Sequence, residues 1–281
     1  MHRYALRDDQ WDRIKDRLPG RTGTVGMTAT DNRLFVEAVL YRYRAGIPRR
    51  DLPERFGNPI NVHRRFSRWA KSGVRERIFR LLAADADNEC AMIDSTIVSA
   101  HQHSVGAKKA RRRPGHRPLP RWIEHKIHTL VDAPGNPVGF FLTGGQAHDL
   151  GGADRLLPEM EADVSIADKA YDADARVLEP LEKLGKSAVI SPKANRKVQR
   201  DYDKATYNTR HLIENFFAKL KQFRAIVTRY DKTARNFLAT VHLSRSHHLA
   251  QLTTRPRIPP KAFWRRSIWL PQSVGSTDDR P

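Results

Sequence analysis

The chain has 281 residues and a mass of 32.2 kDa, which at about 150 residues per domain allows one or two domains. Apolar residues at 39% and charged residues at 29% exclude wholesale disorder, and no apolar run approaches the roughly 18 residues of a membrane span. The 51 Lys and Arg against 31 Asp and Glu give a formal charge of +20, and Cys90 as sole cysteine excludes a disulfide framework or a cysteine-rich zinc module. The first residues lack the apolar stretch of a signal peptide, so the expectation is a soluble, cytoplasmic, basic protein.

Trp11, Ile14 and Leu18 fall on one stripe and predict a helix over 8–18, followed by a Gly- and Thr-bearing loop at 20–28. Asp31 is placed to cap a helix over 31–45 that carries Leu34, Val36, Val39 and Leu40. Pro48 to Gly57 reads as a short capped helix ended by glycine, and Asn58-Pro59 as the cap and first residue of the next. In that helix Val62, Phe66 and Trp69 share a face, surrounded by Arg64, Arg65, Arg68 and Lys71. A short helix, a tight turn and a cation-bearing second helix fit the helix-turn-helix pattern. An ordinary bundle with a solvated basic face has the same spacing; arginine density and overall charge favour contact with DNA through these four cations.

After residue 88 the period changes. Cys90 to Ile93 is an apolar run suited to a buried strand, interrupted by Asp94. Lys126–Val131 and Val138–Thr143 flank the turn signal Ala133-Pro-Gly-Asn136 and predict a hairpin. A short helix over 151–161, a strand over Val164–Ala167 running into Asp168, a helix over 173–184 and a strand over Ser187–Ser191 follow. A long helix is expected over 208–243. The whole predicts a mixed α/β sheet with flanking helices, preceded by an all-helical domain.

The charge is unevenly spread. Residues 1–90 carry 19 Lys and Arg against 12 Asp and Glu, residues 104–130 carry 8 against 1, and residues 244–281 carry 7 against 2. The rest is nearly neutral. A neutral, acid-bearing centre with cationic flanks suits a protein that grips a polyanion and sets carboxylates beside it.

Asp94 and Asp168 each end or interrupt an apolar strand, where a carboxylate loses solvation unless it is paired, hydrogen-bonded or bound to metal. Two such acids on separate strands can meet at a sheet edge, and a third from a helix would complete an oxygen cage for Mg²⁺ or Mn²⁺. On the predicted long helix Arg210, Glu214 and Lys221 fall within roughly 40° of one another, and Tyr207 joins them if the helix includes it. Leu212, Ile213, Phe216, Leu220 and Phe223 take the opposite side. Glu214 between two cations fits a metal-holding acid flanked by phosphate-binding cations, but the geometry alone slightly favours a surface ion pair.

Three stretches carry a resemblance: Met92-Ile-Asp94-Ser-Thr-Ile-Val-Ser-Ala-His101-Gln-His103, Ile166-Ala-Asp168-Lys-Ala-Tyr171-Asp172, and Tyr207-Asn-Thr-Arg210-His-Leu-Ile-Glu214-Asn-Phe-Phe-Ala-Lys-Leu-Lys221. The last meets the pattern Tyr-x2-Arg-x3-Glu-x6-Lys. In this the chain resembles the DDE transposases of bacterial insertion sequences, specifically the insertion-sequence-five family. Asp51 to Gly57 also resembles that family's helical DNA-binding region, and the similarity spans most of 1–103 and 126–243. The resemblance implies a ribonuclease-H-like catalytic domain in which Asp94, Asp168 and Glu214 hold two divalent ions, Mg²⁺ or Mn²⁺, for phosphoryl transfer on DNA. It implies that Arg210 and Lys221 bind phosphates near the scissile bond, that Tyr207 stacks on a base or packs, and that His101, His103 and His148 bond to the acids rather than to metal.

The resemblance further implies partners: double-stranded DNA at terminal inverted repeats and at the target, and a second copy of the chain in the complex that pairs two ends. It implies bacterial, nucleoid-associated localisation. The expected division is a helical DNA-binding domain over 1–88, the catalytic domain over 89–243 and an irregular basic tail over 244–281. Residues 105–125 and the tail depart from the family pattern in the way an out-of-frame translation of a GC-rich gene would. An alternative function follows from such damage: a catalytically inactive DNA-binding repressor.

Overall fold

The computed structural model describes residues 5–21, 28–84, 86–101 and 124–252, with side chains described to Ser244. His103, most of the departure at 105–125 and the tail beyond 252 lie outside the described residues. Contacts divide the chain into Met1–Gln251 and Leu252–Pro281, and the sheet with its helices belongs to the first unit.

Its N-terminal part is all helical. Helix α1, Asp8–Lys15, is shorter than its apolar stripe predicts, although Leu18 beyond its end is buried. Helix α2, Asn32–Ala45, begins where the Asp31 side chain accepts from the Leu34 N–H at 2.8 Å and stops at Gly46, whose φ of 69° closes the last turn. The helix expected over Pro48–Gly57 is instead two 3₁₀ turns, Arg49–Asp51 and Glu54–Phe56, because Pro53 offers no N–H to continue the first. Helix α3, Pro59–Lys71, is capped by Asn58, which accepts from Ile60 N–H at 2.8 Å, and α4 spans Val74–Ala83. Phe66 and Trp69 of α3 are buried, each contributing about 1.5–3 kcal/mol of apolar burial.

Beyond α4 the chain turns to sheet. Strand β1, Cys90–Ala100, pairs antiparallel with β2, Glu124–Asp132, which pairs antiparallel with β3, Pro137–Gly144. Asp94 does not end β1: the ladder runs through it, pairing it with Thr129, since a strand tolerates one acid whose side chain leaves the core. Helix α5, Leu150–Leu156, leads through a 3₁₀ turn to β4, Val164–Ala167, which lies parallel to β1. The helix expected over 173–184 is a π turn, Asp174–Leu178, continued by α6, Glu179–Lys183. Strand β5, Ser187–Ile190, lies parallel to β4. The order β3-β2-β1-β4-β5, with its antiparallel half joined to a parallel half at β1, is the ribonuclease-H-like arrangement.

The single helix expected over 208–243 is broken. It becomes α7, Lys204–Asn208; α8, His211–Lys221; α9, Arg224–Val227; the short β6, Thr228–Arg229, parallel to the end of β1; and α10, Ala234–Leu252. The break has a long-range cause. Asp231, buried, accepts from the Tyr43 hydroxyl at 2.9 Å and the Thr240 hydroxyl at 3.1 Å, and its carbonyl accepts from Arg229 at 2.7 Å. A continuous helix could not deliver Asp231 to Tyr43 and Thr228 to β1 together. At its far end α10 crosses the expected boundary at 243, for no Pro or Gly interrupts 244–252.

Both sheet faces are covered. Ala91, Ile93 and Leu130 pack with α5, Tyr171 and Leu181 on one face. On the other, Phe140 of β3 lies 5.3 Å from Phe79 of α4 and 6.0 Å from Phe216 of α8, ring centre to ring centre. Gly152 sets how closely α5 approaches: a Cβ there would fall 2.2 Å from the His128 ring.

Candidate active site

Strand alternation and register decide which acids meet. Ile93 pairs with Ala167 in the parallel β1–β4 ladder, so the next residues, Asp94 and Asp168, leave neighbouring strands at one level and on one face. That is the face covered by α8, on the side of Met92 rather than Ile93. Asp168 folds back to accept from the Ala170 N–H at 2.8 Å and so caps the turn Lys169–Tyr171. Asp94 accepts from the Ser95 N–H at 2.7 Å and from Arg210 at 3.2 Å, with both side chains of that ion pair mostly buried.

The electrostatics of the pair are unbalanced. Burial pushes the Asp94 carboxyl up to about 6, and the nearby charges of Asp168 and Asp149 add to that; the Ser95 N–H and Arg210 only partly offset it. Arg210 loses solvation by burial but is held charged by Asp94, Tyr207 and Asp168, which together raise its affinity for the proton. Its guanidinium reaches the Tyr207 hydroxyl at 3.4 Å and lies 5.5 Å from that ring's centre.

Glu214, one turn after Arg210 on α8, is exposed, as is Lys221 at the helix end. No group of three or more His, Cys, Asp and Glu side chains set to hold a metal occurs among the described residues. His101 stacks on Tyr230 with ring centres 4.5 Å apart, and His148 Nδ1 accepts from the Leu150 N–H at 3.3 Å. On α3, Arg64, Arg68 and Lys71 are exposed, whereas Arg65 lies against the rings of Phe35 and Trp69, at 4.3 and 5.0 Å.

Two acids carry more than sequence reasoning assigns them. Asp149 precedes α5 and accepts from the Ser95 hydroxyl at 2.6 Å and from Lys126 at 3.0 Å, across β1 from Asp94. Its burial would raise its pKa, but Ser95 and Lys126 hold it below the usual carboxylate range. The signal for it is the His148-Asp149 pair just ahead of a helix. Asp172, at the end of the second motif, is the other; it is buried and paired with Arg196 and Arg200.

The donor chemistry suits a hard divalent cation. Asp94 and Asp168 offer only oxygen, and such an ion would offset the burial and the neighbouring acids that raise the proton affinity of Asp94.

Among the described residues no helix is long and apolar enough to cross a membrane. Comparison with known proteins adds the family. Residues 6–79 match the family described as "Putative transposase of IS4/5 family", and residues 85–246 match the family described as "Transposase DDE domain". An uncharacterized protein, y4sN, of Sinorhizobium fredii is 50% identical over 107 residues, 38% of this chain and 86% of that protein. A Brucella ovis protein described as "Putative transposase for insertion sequence element IS6501" is 38% identical over 120 residues, 42% of this chain and 92% of that protein. A crystal structure of the Mos1 mariner paired end complex with Mn aligns over 86% of this chain and 83% of its own at 13% identity, with a TM-score of 0.26, too slight a likeness to build on. The sheet order, the acids level on β1 and β4 and a DDE-domain match over more than half the chain agree: this protein belongs to the DDE-domain transposases, and its first part matches those of the IS4/5 family.

Proposed function

We propose that the chain cleaves the DNA ends of its own insertion sequence and joins them to target DNA. The observation that carries this reading is the placement of Asp94, within β1, level with Asp168 at the end of the parallel strand β4, with Arg210 bonded to Asp94. Asp94, Asp168 and Glu214 are the residues that would hold the divalent ions, two of Mg²⁺ or Mn²⁺. Bound there, such ions activate an attacking hydroxyl and stabilise the leaving oxygen of an in-line displacement at phosphorus.

The chain's own side chains supply the rest. Arg210 fixes Asp94 in place and keeps a positive charge beside the acids, where it can meet a non-bridging phosphate oxygen. Tyr207, contacting Arg210, presents its ring at the rim for base stacking or for packing. Lys221 extends the positive charge along α8, and Arg64, Arg65, Arg68 and Lys71 on α3 form the end-reading face, with Arg65 held on its two rings. Two copies meet when two ends are paired. Residues 1–88 serve recognition and 89–243 catalysis, in the cytoplasm at the nucleoid.

One observation favours a second reading, an inactive DNA-binding repressor: Glu214 is exposed, and among the described residues no three acids are set together to hold a metal. A single assay separates them. Purified protein with Mg²⁺ or Mn²⁺ and labelled DNA carrying the repeats that flank its gene should nick that DNA. Asp94→Ala and Glu214→Ala should abolish nicking and keep binding. Equal binding by wild type and variants with no cutting by any of them establishes the repressor.

A further inference from the structure

Strands β4 and β5 run parallel and end together, Ala167 beside Ile190, so the loop 191–203 leaves the sheet at the edge where Asp168 sits. Ligands of open α/β sheets bind beyond such strand ends. The loop carries Lys193, Arg196, Lys197 and Arg200, with Lys204 just after it, against Asp201 and Asp203.

This segment has no regular secondary structure between β5 and α7, yet it is fixed at both ends. Asp172, its side chain 1% exposed, accepts from the Lys193 N–H at 2.9 Å, from Arg196 at 2.7 Å and from Arg200 at 2.7 Å. The carbonyl of Asp172 accepts from Lys193 Nζ at 2.9 Å, and Arg196 also reaches Asp174. Gln199 turns back to donate to the Lys193 and Arg196 carbonyls at 3.1 and 3.2 Å. At the other end Tyr202 meets Tyr207 edge to face, ring centres 5.2 Å apart, and Tyr207 contacts the Arg210 that holds Asp94. The loop is therefore strung between Asp172 and the residues around Asp94, while Lys197 and Lys204 remain exposed.

We propose that Asp172 is a positioning residue: it clamps the loop 191–203 so that Lys197 and Lys204 present a preformed cationic edge to the phosphate backbone of the DNA strand entering the Asp94–Asp168 site. A clamped loop loses less conformational freedom when it binds than a free one. The proposal rests on the DNA-cleaving function proposed above, and its test separates the two.

The test is anisotropy of a short labelled duplex with the full chain, read between about 50 and 200 mM salt, where the slope counts phosphate contacts at roughly 0.9 each. Lys197→Ala with Lys204→Ala should flatten the slope by nearly two contacts and weaken binding about tenfold at the lower salt. The same pair should raise KM for cleavage and leave kcat unchanged. Asp172→Ala should reproduce the loss, and adding it to the lysine pair should cost little more, because both act through one loop. If folded Asp172→Ala keeps the wild-type slope, Asp172 only stabilises the protein and the inference fails. Should Asp172→Ala not fold, the lysine pair decides alone: a wild-type slope overturns the proposal, a flattened slope with raised KM supports it. Wild type that binds no duplex at any salt overturns the proposed function, and this inference with it.

Discussion

A buried carboxylate and a half-buried one at the same end of the sheet are treated in opposite ways. Asp172 has three donors on its oxygens; burial works against its charge, but the Lys193 N–H and the two arginines hold its carboxyl below the usual range. Asp94 has one backbone donor and one arginine against burial and two neighbouring acids, and its carboxyl rises to about 6. One region spends its cations on structure and is satisfied. The other is left short of positive charge, the condition in which a site has something to gain from an added cation.

The largest effect that could break this comparison is on cleavage. Asp94→Asn should lower the cleavage rate by at least about 10²- to 10³-fold, the scale of one lost transition-state contact, while duplex binding stays near wild type. A rate within a few fold of wild type would remove Asp94 from the chemistry.

Stability supplies the next effect, with opposite signs at the two acids. Asp172→Asn removes the buried acid from Arg200 and from Arg196, which keeps Asp174, and should cost about 1–3 kcal/mol in urea unfolding. Asp94→Asn, measured with chelator present, should stabilise the protein by about 1 kcal/mol at pH 8, part of the gain being lost to the unpaired Arg210. The pH dependence follows from the directions of the shifts. Folded Asp94 holds its proton up to about pH 6, above its unfolded value of 3.8, so its contribution is full below the unfolded value and is lost as pH rises through 6. Asp172, shifted down, contributes above the ordinary carboxylate range and loses that contribution as pH falls through its folded value. Unfolding curves of the two variants from about pH 2 to about pH 8 should therefore diverge from wild type in opposite directions toward the upper end and converge on it as pH falls, Asp94→Asn near pH 6 and Asp172→Asn only below the ordinary carboxylate range.

Why one acid of each kind is legible in the sequence and the other is not is a matter of range. Val164–Ala167 followed by Asp168 announces a strand and its terminal acid within five residues, and Asp31 and Asn58 announce helix starts through bonds no more than three residues long. Asp172 gives no such signal, because its partners lie 21 to 28 residues further on and meet it only once β5 is paired. The break near Asp231 is hidden for the same reason on a larger scale: its partner Tyr43 is 188 residues away. Apolar period alone predicts an unbroken helix there. Asp94, Asp168 and Glu214 stand out in their motifs, yet no local spacing could say that Asp94 and Asp168 share a face; the register of β1 on β4 decides it.

That distant bond offers a third, satisfied acid to set beside Asp172. Tyr43→Phe removes one donor from buried Asp231 and leaves it Thr240, so it should lower stability by about 1–3 kcal/mol and leave duplex cleavage by the folded enzyme unchanged. A loss of cleavage at full folding would mean instead that the α2–Asp231 bond transmits end recognition to the sheet.

The smallest effects separate packing cations from binding cations on α3, the same distinction that divides Arg196 from Lys197. Arg68 is exposed and Arg65 rests on the rings of Phe35 and Trp69, its proton affinity lowered by burial. Arg68→Ala should change stability by no more than about 0.5 kcal/mol and flatten the salt slope of duplex binding by about one contact. Arg65→Ala should cost about 0.5–1 kcal/mol through the lost ring contacts and change the slope less. If both variants flatten the slope equally, Arg65 leaves its rings for a phosphate when DNA arrives, and a cation's place in the free protein is then a poor guide to its part in the complex. If only Arg68 does, exposure in the free protein sorts the cations of both the end-reading helix and the clamped loop by the same rule.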